Sequence, residues 1–358
     1  MKPNSRRSAS DQSGFTLVEI MVGLAIGMLA TVVIIQVISV FEAQRRTTTG
    51  SADAQTNGGI ALYTIGRELQ MAGYPLVPFT NSPLECTTLS VNGVADATVP
   101  NRLSPVAVVD GVAAAGVSAS DTITIRYGNS AMGGVPTQIT LPNQPGLNDV
   151  TVNNNFGCLA NDITLITRGG ACVMSRAGAV SAVGTSPITI TLDDAPVAAD
   201  QGANLSCLGT AWNEVTYAVN QATGNLERNG VPSVVGVVNL QVQYGVSGTA
   251  NSNQVTQWVD ASGGTWGAPT VANRNRIKAV RIAVVARNAK MEPAAVTTVC
   301  SSTTAAAPTG LCAWAGSVAS PAPSIDLSAG DANWLRYRYR VFETIVPLRN
   351  MIWSRETL

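Results

Sequence analysis

Histidine is absent from the 358 residues, which removes the commonest general base, the histidine-based catalytic triads and most zinc sites. Charge is scarce at 12%, and the 22 basic side chains balance the 22 acidic ones, so no strong field draws in nucleic acid or an acidic substrate. Aromatics make up only 5% of a chain that is 46% hydrophobic and carries 33 Gly and 18 Pro, a composition that suits a β-rich, loop-rich extracytoplasmic protein. There is no Walker loop, GxGxxG, HExxH or GxSxG, so nothing points to a catalytic residue, a cofactor or an enzyme. Asp193-Asp194 and Asp326 lack the EF-hand spacing and read as solvated turns rather than metal ligands.

Cysteine is used six times, at Cys86, Cys158, Cys172, Cys207, Cys300 and Cys312, without a CxxC pair. That pattern favours disulfides in an oxidising compartment over metal ligation or redox catalysis. Of the fifteen pairings six cysteines allow, proximity along the chain favours Cys158 with Cys172 and Cys300 with Cys312, and leaves Cys86 with Cys207.

What is there begins at the amino terminus. A polar leader, residues 1–14, carries Lys2, Arg6 and Arg7 against Asp11, and an apolar run follows it directly. Positive charge ahead of such a run keeps the leader in the cytoplasm. From Ile20 to Phe41 there is neither charge nor proline, and at about 1.5 Å per residue that is helix enough to cross a bilayer. An ordinary signal peptide is cut after its apolar region, whereas here the small residue Gly14 stands before it. Glu19 places a carboxylate inside the apolar stretch, at a cost of about 2.5 kcal/mol or more unless something compensates it. Gly23 and Gly27 have the spacing that lets membrane helices approach closely, and they read as packing without a specific partner.

Gly14-Phe15-Thr16-Leu17-Val18-Glu19 resembles the processing site of type IV prepilins and type II secretion pseudopilins. The resemblance implies cleavage after Gly14 by prepilin peptidase, N-methylation of Phe15, and retention of Glu19 inside an assembled fibre. There a neighbouring subunit's Phe15 α-ammonium would neutralise the carboxylate and help set the axial stagger. The implied fold is α+β: a long amino-terminal helix whose first half (15–41) is hydrophobic and whose second half (42–73) packs on an antiparallel sheet. Poor helix formers at 47–59 predict a kink or melted turn. Leu62, Ile65, Leu69 and Ala72 share one helical face, and Gly73 with Pro75 supplies a stop.

Strand-like runs recur at 122–127, 163–167, 188–192, 215–219, 235–244, 277–286 and 337–346. The 215–219 run and its successor at 224–228 read as a hairpin, with VVGVVNLQVQYGV as the next strand. This pattern, with IKAVRIAVVARN and RYRYRVFETIVPLRNMIW, is similar to the carboxy-terminal part of PilW-type minor pilins. It divides the chain beyond the helix into a variable β-rich region, 74–213, and a carboxy-terminal sheet region, 214–358. Two Ser/Asn/Gly/Pro-rich stretches, 247–273 and the segment around Cys300 and Cys312, read as surface loops. Trp212, Trp258, Trp266 and Trp314 lie in or near loops and cover core or a partner.

In the basic aromatic cluster Trp334, Arg336, Tyr337, Arg338, Tyr339 and Arg340, alternation argues for a strand with one packed and one solvated face, over a nucleic-acid surface. The implied function is a minor pilin that primes or caps a type IV pilus, single-pass in the inner membrane with its globular domain periplasmic, then placed in the fibre or at its tip. Its implied partners are other minor pilins, the major pilin, the prepilin peptidase/N-methyltransferase and the inner-membrane assembly platform. A minor pseudopilin of type II secretion, and a tip adhesin or DNA-binding module, stand as alternatives.

Overall fold

The computed structural model describes residues 14–76, 82–98, 100–114, 118–142, 146–182, 184–194 and 199–352, without the side chains of residues 43 and 46. The leader's charges lie outside the described residues. The chain divides into two units, residues 1–50 and 51–358. The helix α1, Leu17–Leu69, supplies the described structure of the first unit and continues into the second.

From Ile20 to Phe41 α1 is apolar on every side, and its large side chains are exposed all round. The melted turn expected at 47–59 does not occur, because helix is maintained through that stretch. Low propensity costs at most about 1 kcal/mol per residue, and within the second unit packing offsets it. From Ala54 onward a buried stripe of Ala54, Gly58, Ala61, Ile65, Leu69 and Ala72 follows the three-four spacing of one helical face. Ile65 and Leu69 are fully buried in the principal core, each contributing about 2 kcal/mol by area. Gly73 ends the segment in the left-handed region at φ +77°, and its N–H donates to the Arg126 carbonyl at 2.8 Å.

Seventeen strands follow among the described residues: β1 Thr88–Val91, β2 Val94–Ala95, β3 Val106–Val109, β4 Thr122–Gly128, β5 Thr137–Gln138, β6 Asp149–Thr151, β7 Ile163–Arg168, β8 Ala171–Val180, β9 Thr189–Leu192, β10 Asn204–Cys207, β11 Trp212–Asn220, β12 Asn225–Arg228, β13 Val231–Val235, β14 Val237–Ser247, β15 Val255–Asp260, β16 Ile277–Met291 and β17 Tyr337–Pro347. They form three sheets. The largest runs β2-β1-β8-β7-β10-β5 with β9 and β6 added beyond β8, the second runs β13-β12-β11-β4-β3, and the third runs β15-β14-β16-β17. All named pairs are antiparallel except β1 with β8, which are parallel.

The expected division at 213 falls inside β11, which pairs with β4 from the earlier region and β12 from the later one. The second unit therefore has no structural border there. VVGVVNLQVQYGV also divides: Gly236, at φ +76°, turns the chain so that β13 joins the second sheet and β14 the third. All of β14 is buried. Its apolar alternates Leu240, Val242, Tyr244 and Val246 enter the principal core. On the other face Gln241 donates to Ala119 O at 3.1 Å, and Gln243 to Asp260 Oδ1 at 2.9 Å and Pro321 O at 2.8 Å. Such bonds offset the desolvation of buried amides; here the segment at Ala119, the end of β15 and the loop at Pro321 accept them, while Gln243 Oε1 has no partner.

The disulfides are Cys86–Cys172, Cys158–Cys207 and Cys300–Cys312. The pairings Cys158 with Cys172 and Cys86 with Cys207 are corrected, and strand register gives the reason. In the β7–β8 hairpin Cys172 stands opposite Thr167, at the turn end, whereas Cys158 precedes the open end. Cys207 stands opposite Thr164 at that open end, and Leu89, just after Cys86, stands beside Cys172.

Candidate processing and assembly site

The helix start is built within residues 14–19. Gly14, Phe15 and Thr16 precede α1, which opens at Leu17 and carries Glu19 in its first turn. Four backbone N–H groups at a helix start lack intrahelical acceptors. Here Glu19 N–H donates to Thr16 Oγ1 at 3.3 Å, and Thr16 N–H donates to Glu19 Oε2 at 3.3 Å. The Thr16 hydroxyl also donates to Glu19 Oε2 at 3.3 Å. This reciprocal arrangement is a capping box. The carboxylate also faces the positive end of the helix dipole. Glu19 thus has a local compensation that the sequence reading missed, although Thr-x-x-Glu is itself the signature of such a box.

Phe15 is 83% exposed, and a Cβ added at Gly14 would meet nothing within 4 Å. Nothing in this chain's own packing therefore demands glycine or phenylalanine at the two positions. Behind them the Ile20–Phe41 run presents apolar surface all round, Gly23 and Gly27 included, and a Cβ at either glycine would also meet nothing within 4 Å. A helix that is hydrophobic on every side is one made for lipid or for other helices.

The remaining candidates fall elsewhere. Along β17 the residues alternate in exposure, with Arg338 and Arg340 outside and Tyr337 and Tyr339 partly covered. Arg338 pairs with Glu292 at 3.0 Å, and Arg336 donates to the Glu292 carbonyl at 2.8 Å. Trp334 is buried. Trp314 is buried too, with the Arg281 guanidinium 4.4 Å from its ring centroid and 6.0 Å from that of Trp258. Trp266 carries Arg276 in the same way, and the Trp212 indole donates to Arg102 O at 3.1 Å. These tryptophans pack on their own domain. Asp326 accepts the Ser328 N–H in a local turn, and among the described residues no group of three or more acidic or cysteine side chains is placed to hold a metal.

Two buried cations carry no signal in the sequence. Arg274 is held by Asn101 Oδ1 at 2.9 Å and Leu84 O at 2.6 Å, and burial lowers its pKa to about 10. Lys278 donates to Ala250 O at 2.8 Å, and burial lowers its pKa to about 8. Both hold carbonyl-rich loops in place.

A long apolar helix that opens on Gly-Phe-Thr-x-x-Glu and leads into a disulfide-bonded, antiparallel-rich β domain defines the pilin-like class. Residues 9–35 match the prokaryotic N-terminal methylation motif, and residues 208–350 match type IV pilus-assembly protein W. Over these two stretches the chain is similar to type IV pilus-associated pilins of the PilW type, and its long apolar amino-terminal helix fits a membrane-anchored single-pass pilin. No curated protein and no solved structure matches the chain.

Proposed function

We propose that this protein is a minor pilin that primes or caps type IV pilus assembly. In this reading prepilin peptidase cuts after Gly14, Phe15 becomes the methylated amino terminus, and Glu19 aligns the subunit among its neighbours. The globular domain lies in the periplasm until the subunit enters the fibre, and the partners are other minor pilins, the major pilin and the assembly platform. The observation that carries the reading is the exposed Gly14-Phe15 step set directly against a capped helix start, in a chain whose carboxy-terminal part matches protein W.

The mechanism follows from the cap. Two bonds to one carboxylate oxygen, each 3.3 Å long, hold the carboxylate at the helix start without a full charge partner. In the membrane the unassembled subunit keeps that local compensation. In the fibre the α-ammonium of a neighbouring Phe15 offers a full opposite charge, which is worth more than a neutral donor at low dielectric.

The test is the intact mass of the amino-terminal peptide from cells with and without prepilin peptidase. A peptide beginning at methylated Phe15 only when the peptidase is present is expected. A retained leader, or a cut elsewhere, overturns the processing assignment. Loss of surface pili with secretion intact in a deletion strain is expected of a pilus component, and the reverse phenotype assigns the chain to a secretion pseudopilus.

A further inference from the structure

Strand alternation puts Arg338, Arg340, Phe342 and Val346 on one face of β17, and that face carries α1. Gly58 lies against the Phe342 ring, and a Cβ at Gly66 would sit 3.9 Å from Val346 Cγ2. The intervening Tyr339 and Val341 pack against a separate core cluster that includes Trp314 and Trp334. Going back along both elements, toward Ser51 on α1 and toward Arg338 on β17, the helix and the strand flank a half-open pocket of about 220 Å³. Ser51, Ala54, Thr297, Arg338 and Arg340 are among the residues that line it.

The pocket's lining is basic, with Arg338 and Arg340 and no acidic side chain among the residues that line it. Arg340 is exposed, Arg338 is about half exposed, and Arg336 stands just before β17, at the end of a single 3-10 turn. The Glu292 carboxylate answers one of these three guanidinium groups, at Arg338 Nε. The position in the chain adds a second constraint. The apolar run ends at Phe41 and the domain opens at Ser51, so residues 42–50 are the whole tether, about 15 Å long as helix and about 36 Å at full extension. A membrane-anchored chain therefore keeps Ser51, and the cavity beside it, within reach of the bilayer surface.

We propose that the cavity lined by Arg338 and Arg340 takes the phosphate headgroup of an anionic phospholipid at the surface of the membrane that holds α1. The proposal rests on the membrane-anchored reading of that helix. Guanidinium groups suit it because their planar forks match phosphate oxygens two bonds at a time, and they lose less on desolvation than an ammonium does. Each basic side chain near an anionic surface strengthens binding roughly fivefold, within a Debye length. A lipid contact here would hold the domain down on the membrane before the subunit is extracted into a fibre.

The test uses the full processed chain in nanodiscs of phosphatidylcholine, with or without 30 mol% phosphatidylglycerol (about one lipid in three, enough for an anionic surface). Hydrogen exchange is read on peptides covering residues 336–343 and 51–57. Slower exchange in the anionic discs alone is expected, lost at high salt and lost in the double variant Arg338→Gln/Arg340→Gln, whose exposed side chains leave the fold intact by circular dichroism. Equal exchange in the two lipids, or equal protection in the double variant, overturns the proposal while leaving the anchored reading standing. Failure of the chain to enter discs at all sinks the anchored reading and the proposal with it. Duplex DNA added to neutral discs must give no protection; if it protects these peptides as well as anionic lipid does, the patch is a nucleic-acid surface and the lipid assignment is wrong.

Discussion

Glu68, in the last turn of α1, accepts both Arg228 Nε at 3.1 Å and Arg228 Nη2 at 2.7 Å on the same oxygen, Oε1. The pair ties the helix end to β12. Tyr217, the residue opposite Arg228 in β11, is buried, and burial together with the Glu68 carboxylate pushes its phenol above the ordinary value. Glu68→Gln removes a charge-assisted pair and should lower stability by about 1–2 kcal/mol, less than a fully buried pair because Arg228 is 41% exposed. The Tyr217 hydroxyl lies near Glu68 and Arg228 without a well-formed hydrogen bond to either, so Tyr217→Phe should be neutral or slightly stabilising. Thermal unfolding in detergent reads both. A Tyr217→Phe loss as large as that of Glu68→Gln would mean that the hydroxyl, not the ion pair, anchors the helix end.

Two adjacent glycines in α1 should respond in opposite ways. A Cβ at Gly58 would collide with the Phe342 ring, whereas one at Gly59 would meet nothing within 4 Å. Gly58→Ala should therefore cost about 1–3 kcal/mol through overpacking, and Gly59→Ala should gain up to about 1 kcal/mol through helix propensity. Phe342→Leu should relieve the first in a double variant. Chemical denaturation of the three proteins checks the order, and equal effects at the two glycines would dismiss the helix–β17 contact.

The buried Asp121 gives the domain a pH dependence of unusual sign. Its Oδ1 accepts Gly111 N–H at 2.9 Å and its Oδ2 accepts Val242 N–H at 2.7 Å, which bonds the β3–β4 connection to β14. Burial is the largest influence on it, and with the charges of Asp110 and Asp260 it raises the pKa to about 7 despite those bonds. The folded state then keeps a proton that the unfolded chain releases near pH 4, so this contribution to stability is full below about pH 4 and is lost as pH rises to about 7. The change is a few kcal/mol at most, on the order of 1.4 kcal/mol per pH unit. Asp121→Asn should cost about 1–2 kcal/mol at pH 4, where it loses an acceptor, and should flatten the decline between pH 4 and 7. Urea midpoints across that range decide it, and an unchanged slope in the variant would remove Asp121 as the cause.

Non-reducing peptide mapping should find Cys86 linked to Cys172 and Cys158 linked to Cys207. Replacing Cys158 and Cys207 together by serine should cost about 4 kcal/mol in the chain-entropy model, because that bond closes a long loop. A linked Cys158–Cys172 peptide would contradict the β7–β8 register.

How much of this was legible depends on how far along the chain each cause acts. The apolar run to Phe41, the helical face through Ile65 and Leu69, and the 215–228 hairpin depend on neighbours a few residues apart, and they stand where periodicity put them. The cysteine pairing depended on the register of β7, β8 and β10, which no local pattern encodes. The expected melted turn failed because propensity at 47–59 was weighed without the stripe that packs Ala54 and Gly58. Glu19 is the opposite case. Its partner Thr16 was three residues away and readable, but the apolar setting drew attention to the cost of the charge and away from the cap.

That cap supports a last prediction. The Glu19 N–H donates to the Thr16 hydroxyl, so removing the hydroxyl while keeping the shape, with Thr16→Val, should release that amide. The loss of an N-cap is worth about 1 kcal/mol, or roughly a fivefold rise in local opening. Amide exchange at Glu19, measured on the full chain in nanodiscs, should rise by that factor in Thr16→Val and return to the parent rate in Thr16→Ser, which restores the hydroxyl. Exchange at Ile60, far along the helix, should not change in either variant and controls for a general loosening. A Glu19 amide that exchanges at the parent rate in Thr16→Val would show that the helix start is held by something other than the Thr16–Glu19 box, and would take with it the idea that the carboxylate is locally compensated before it meets a neighbouring subunit.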